Sequence, residues 1–135
     1  MIYLTKKMQF SASHRIYNPN FSDEENTKIF KNCANKNGHG HNYSLEVTVA
    51  GSPNPKTGYV IDLKDLKEII QKEIIDLVDH KNLNVDVKEL QNIIPTSENL
   101  VILFWQLLEN KIPNAKLYKI KLSENENSSV EYFGN

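Results

Sequence analysis

Of the four histidines in the chain, three sit where stretches of strand-like alternation begin or end: His14, His39 and His41. His39 and His41 flank Gly40, so in an extended segment their rings point to the same side. The glycine between them admits close approach. His14 closes an earlier alternating stretch that would pair antiparallel with the one opening at His39, which brings a third imidazole beside the other two. Three neutral nitrogen donors with no fourth residue suit a catalytic zinc, which keeps a position open for water or substrate; a structural zinc is closed. A bare His-Gly-His is more often a surface turn, because so short a motif recurs by accident. The third histidine and the long loop between the pair and His14 reverse that preference.

Cys33 is the only cysteine. A lone cysteine is usually a small buried hydrophobe, yet the neighbours Lys31, Asn32, Asn35, Lys36 and Asn37 are polar, which favours exposure and thiol reactivity. A role as the fourth zinc ligand stays equally open. Asp79-His80 ends an amphipathic stretch. It reads either as a helix terminus with a favourable cation or as a carboxylate that orients an imidazole for proton transfer. Glu98 falls in a first helical turn and Glu124 near a hairpin, where plain electrostatic roles suffice. Arg15 and the lysines read by default as solvated charges.

The elements that must position these residues follow from periodicity. Met8, Phe10 and Ala12 alternate with Gln9, Ser11 and Ser13, and Tyr43, Leu45, Val47 and Val49 alternate with Ser44, Glu46 and Thr48, so two strands are expected. About 25 polar residues separate them, with a helical turn near Glu24 to Phe30; a loop that long is uncommon unless it does something. Leu63, Leu66, Ile69, Ile70, Ile74, Leu77 and Val78 recur at helical spacing behind Asp62 as cap. Pro95-Thr96-Ser97-Glu98 opens a second helix that Pro113 stops. Leu117, Ile120 and Leu122, then Val130 and Tyr132, give a closing hairpin around a loop from Glu124 to Ser129. The order β-β-α-α-β-β predicts an α+β fold, a four-stranded antiparallel sheet with both helices on one face.

A chain of 135 residues with 39% hydrophobic and 24% charged residues fits one domain, residues 1–135. A net charge of -1 with Arg15 as the single arginine argues against nucleic acid. No apolar run approaches the length that spans a bilayer, and MIYLTKKMQF is too polar for a secretory signal, so no membrane partner is expected. With one cysteine no internal disulfide can form, and a cytoplasmic location is the default.

Phe10-Ser11-Ala12-Ser13-His14-Arg15, Glu24-Glu25-Asn26, Cys33 through Asn37-Gly38-His39-Gly40-His41-Asn42-Tyr43, Asp79-His80-Lys81-Asn82-Leu83 and Thr96-Ser97-Glu98-Asn99 together resemble the 6-pyruvoyltetrahydropterin synthase / 6-carboxytetrahydropterin synthase family. The resemblance runs nearly the whole chain. It implies that His14, His39 and His41 bind zinc, that Cys33 is the catalytic thiolate, and that Asp79 and His80 are its relay partners. It also implies that Glu124, on the loop before the last strand, grips the amino-pyrimidine edge of a pterin, with Thr96, Ser97 and Glu98 lining the same pocket. The family's tunnelling fold assembles as two stacked trimers, a homohexamer whose sheets close into a barrel with active sites between subunits.

The activity implied is a zinc-dependent lyase that takes the small-molecule pterin triphosphate 7,8-dihydroneopterin triphosphate, eliminates triphosphate and moves hydrogen from side chain to ring, giving 6-pyruvoyltetrahydropterin for tetrahydrobiopterin synthesis. The related 6-carboxytetrahydropterin synthase, on the route to queuosine, shares substrate and scaffold but spaces its cysteine closer to the His-Gly-His. Here five residues, Ala34 to Gly38, intervene, which favours the pyruvoyl enzyme. A zinc-bearing binding module without catalysis would keep the histidines but has no need of Cys33 or Asp79-His80.

Overall fold

A computed structural model describes residues 1–135. The first strand, β1 (Ile2–His14), runs the length of the alternating stretch and carries Phe10, Ala12 and His14 to one face, where all three are buried. Helix α1 (Asp23–Phe30) follows, opened by a capping box in which Ser22 accepts from the Glu25 N–H and Glu25 reaches back to Ser22. A 3-10 turn, Lys31–Ala34, then brings the chain to β2 (His39–Gly51). The loop between β1 and α1 is pinned by buried Asn26, which accepts from Asn18 N at 2.8 Å and donates to Asn18 O at 3.0 Å.

Asp62 caps α2 (Leu63–Ile70) by accepting from Lys64 N. The helix passes through a π-helical segment, Gln71–Ile75, into the last turn α3 (Asp76–Val78). The wider turn lets the consecutive residues Ile74 and Ile75 both reach the core. After the two-residue strand β3 (Lys81–Asn82) and a 3-10 turn, Lys88–Leu90, comes α4 (Ser97–Leu108), capped by Thr96. The hairpin β4 (Lys116–Asn125) and β5 (Ser128–Tyr132) completes the chain.

The sheet has five strands in the order β3-β1-β2-β4-β5. The four long strands are antiparallel as expected, but β3 adds a parallel edge against Ala12 and Ser13, so the sheet is mixed. The correction has a local cause: the extended chain leaving α3 is captured by β1, with His80 N donating to Ser11 O at 2.6 Å and Leu83 N to Ser13 O at 2.8 Å. Two residues are too few to show a period. One face of the sheet forms a single core with α2, α3 and α4, built around Phe10, Tyr43, Leu45, Ile120, Leu66, Ile70 and Phe104. Phe10 stacks on Tyr43 with centroids 4.7 Å apart and meets Phe104 edge-on at 6.0 Å. Lys7, Gln9, Ser44, Glu46, Lys121 and Ser123 are among the residues lining a cavity on the sheet that has no hydrophobic side chain in its wall. No helix is long and apolar enough to cross a membrane.

Candidate active site

Register builds the site. β1 and β2 pair with His14 opposite His39 and Ala12 opposite His41, so all three imidazoles gather at one end of the sheet, on the helix-bearing face. Their ligating nitrogens lie within 4.8 Å of one another. Nε2 of His14 is 3.1 Å from Nε2 of His39. His14 is buried, and its Nδ1–H donates to the carbonyl of Pro95 at 2.8 Å, which leaves the Nε2 lone pair facing the cluster. Burial, aided by the neighbouring imidazoles, pushes His14 below its ordinary pKa, and burial does the same to His41. Both rings are therefore held toward the neutral form that a metal site requires.

Nε2 of His41 is buried without a hydrogen bond, although Glu124 Oε1 lies only 3.1 Å away. The two atoms are close but badly aligned, so the nitrogen is effectively an orphan. A buried imidazole nitrogen without a partner, in a cluster of three histidines, fits a divalent cation better than it fits any group of the protein. The residues present thus could hold a metal. Cys33 lies outside the group of mutually close ligand atoms, so the fourth-ligand alternative for its sulfur gains no support.

The cavity beside the cluster has a volume of about 400 Å³. His14, His39, His41, Cys33 and Glu124 line it, together with Thr96, Ser97 and Glu98 from the start of α4. Thr96 reaches the cavity while its hydroxyl also accepts from Asn99 N at 3.3 Å, so the helix cap and the pocket wall are one residue. Glu124 departs from the expectation that it sits on a loop. It belongs to β4, at an irregularity where Ser123 pairs with Ser129 and Asn125 with Ser128, leaving Glu124 unpaired. A bulge re-aims a side chain, and this one brings the carboxylate 3.4 Å from His14 Nε2 as well as to His41.

Asp79 and His80 are not brought to this cavity. Asp79 accepts from Ser11 N at 2.9 Å and its other oxygen lies 3.0 Å from Nδ1 of His80. The Ser11 N–H, seconded by His80, holds the Asp79 carboxyl below its ordinary range. The carboxylate–imidazole pairing is therefore present, but the His80 side chain is 82% exposed and borders a second cavity with Lys81, Asn82 and Gly40. His41 touches both cavities.

Sequence reasoning missed Ile16, Ser128, Ser129 and Val130 in the cavity wall, and the Pro95 carbonyl. No residue-type signal marks a carbonyl as a partner for histidine. Arg15 is also not the solvated charge expected: it is half-buried, with its guanidinium carbon 3.8 Å from the centre of the Tyr17 ring.

Known proteins bear on this geometry. A 6-pyruvoyl tetrahydropterin synthase from Caenorhabditis elegans superposes with a TM-score of 0.92 at 36% identity, covering 99% of this chain and 96% of the other. The 6-pyruvoyl tetrahydrobiopterin synthase of Pongo abelii is 45% identical over 131 residues, 97% of this chain and 90% of that protein. That of Dictyostelium discoideum is 44% identical across 98% of this chain and 96% of its own length. The profile of the family described as 6-pyruvoyl tetrahydropterin synthase matches residues 3–135. With the family profile matching nearly the whole chain and full-length relatives above 40% identity, the chain belongs to the 6-pyruvoyl tetrahydropterin synthase family.

Proposed function

We propose that this protein is a carbon–oxygen lyase that converts 7,8-dihydroneopterin triphosphate into 6-pyruvoyltetrahydropterin and triphosphate. The observation that carries the reading is the cavity in which three histidines, Cys33, the α4 start and Glu124 converge, in a chain whose relatives bear the name of that synthase. The overall change needs no outside reductant: hydrogen leaves the side-chain carbons and enters the ring, and the bond to the triphosphate oxygen breaks.

Zinc is the metal that fits three neutral imidazoles with room for substrate oxygen, and when bound it would act as a Lewis acid on the side-chain hydroxyls. His14, His39 and His41 would hold it. Cys33, exposed on the cavity wall, is the candidate base that takes the proton from the side chain. Glu124 accepts hydrogen bonds from the amino-pyrimidine edge, and Thr96, Ser97 and Glu98 bound the ring.

Asp79 and His80 join the site across a subunit boundary. The reading is supported by the exposure of His80 with its orientation already fixed by Asp79; a partner subunit's pair would supply what the single chain keeps outside its cavity. A homohexamer of two stacked trimers, the arrangement implied by the family resemblance, would provide such boundaries, with the sheets closing into a barrel.

Incubation of the purified protein with dihydroneopterin triphosphate, followed by mass analysis, tests the reading. Triphosphate release with the pyruvoyl product supports it. The carboxy product would move the protein to the sister activity, and no reaction would leave a metal-bearing binding module.

A further inference from the structure

Cys33 is exposed, so side-chain packing does not fix its sulfur. The backbone does. From just beyond the end of β1, Ile16 N donates to the Cys33 carbonyl at 2.7 Å and Arg15 Nε donates to the Ala34 carbonyl at 2.8 Å. At the far end of the loop, Gly38 abuts the His14 carbonyl so closely that a Cβ would lie 2.6 Å from its oxygen.

Arg15 is itself held. Its guanidinium lies over the Tyr17 ring, a contact that suits a planar, delocalised cation better than a strongly hydrated ammonium. One amide grips its backbone twice: Arg15 N donates to Asn84 Oδ1 at 2.7 Å, and Asn84 Nδ2 donates to Arg15 O at 2.9 Å. Asn84 lies just past β3, whose attachment to β1 also fixes Asp79 and His80. Residues 15 and 84 therefore join the segment carrying His14, the segment carrying Cys33 and the segment carrying the Asp79–His80 pair.

We propose that Arg15 is a positioning residue for Cys33: stacked on Tyr17 and clamped by Asn84, its guanidinium fixes the loop so that the thiol stands at the edge of the three-histidine cavity. The proposal rests on the reading of Cys33 as the base. Arg15 touches no substrate in this account. It acts through the Ala34 carbonyl.

Charge and geometry make different demands of the same position. Arg15→Lys keeps the charge but loses the planar fork whose Nε–H reaches the Ala34 carbonyl, so it should behave like Arg15→Gln. A misplacement of about 1 Å costs on the order of 10²-fold in rate, so kcat should fall by about 10- to 100-fold in both, with KM and metal per chain unchanged. Tyr17→Leu and Asn84→Asp should shift kcat the same way, and each should add little to Arg15→Gln.

The test combines steady-state kinetics of these variants with amide exchange at Ile16, whose N–H is bonded to the Cys33 carbonyl. Ile16 should exchange at least about tenfold faster in every variant while the amides of α4 keep their protection. Recovery of kcat in Arg15→Lys would overturn the proposal in favour of charge alone. A raised KM at constant kcat would overturn it in favour of a triphosphate contact. Unchanged Ile16 exchange would overturn it outright. If Arg15→Gln does not fold, Tyr17→Leu and Asn84→Asp carry the same outcomes. A wild-type protein without turnover would sink the lyase reading, and the exchange data alone would then decide whether Arg15 holds Cys33.

Discussion

The Nδ1–H of His14 donates to the carbonyl of Pro95 across 2.8 Å, joining the last residue of β1 to the residue before the cap of α4. The bond sets the tautomer of a buried ring so that Nε2 faces His39 and His41. It also draws Thr96, Ser97 and Glu98 to the same cavity as the histidines. One contact, between residues 81 positions apart in the chain, thus aligns a candidate metal ligand with the start of a pocket wall.

The first prediction concerns the metal. Protein prepared without chelators should hold about one zinc per chain. His39→Ala removes a ligand, so affinity should drop beyond the roughly 10- to 100-fold typical of losing an outer partner. Metal analysis and a competitive chelator titration check both. Full retention of zinc by His39→Ala would contradict the three-histidine site.

Two glycines with similar backbones should respond differently to alanine. Gly38 and Gly58 have φ of 70° and 76°, but a Cβ at Gly38 would meet the His14 carbonyl whereas nothing lies within 4 Å at Gly58. Gly58→Ala should cost only the left-handed penalty of about 1–2 kcal/mol. Gly38→Ala should cost more and weaken metal retention, because the displaced backbone belongs to a ligand. Urea unfolding of the two variants makes the comparison.

Stability of the metal-free protein should depend on pH in a defined window. His14 and His41 titrate below their ordinary value of 6.5 in the folded chain. The unfolded chain therefore takes up protons first, and stability rises with pH wherever the unfolded state binds more protons. It should be constant above pH 6.5 and fall as pH drops below it toward the folded values. Urea midpoints between pH 7.5 and 5.5, at a fixed low chelator concentration, should decline on acidification; a flat profile would mean the rings are not buried neutral.

Much of this was legible beforehand, and the exceptions share a cause. Alternation revealed β1 and β2, and with them the meeting of His14, His39 and His41, because a two-residue period is written in side-chain types. The caps at Asp62 and Thr96 were legible for the same reason. What stayed hidden depends on backbone groups: the parallel bridge of Lys81–Asn82 to β1, the bulge that aims Glu124, and the Pro95 carbonyl under His14. Every residue carries an N–H or a C=O, proline excepted for the first, so residue type says nothing about which are used. The outward turn of His80, at a φ of 61°, is likewise a backbone decision.

Glu124 supplies the next prediction. Glu124→Gln preserves shape but removes the charge that would accept from a pterin, so binding should weaken by about 1.5–3 kcal/mol, the range for hydrogen bonds to charged groups. Titration of the protein with a pterin, followed by fluorescence, checks it. Equal affinity would reduce Glu124 to a residue that only neighbours His14 and His41.

The measurement closest to the central claim is triphosphate release by Cys33→Ala at confirmed zinc content. The sulfur lies outside the ligand group, so the variant should keep its zinc and its pterin affinity. It should still lose the proton transfer, with turnover down at least about 10²-fold, the lower bound for a catalytic acid or base. Near-normal triphosphate release from the zinc-loaded variant would contradict the account, and loss of zinc would make Cys33 a ligand instead.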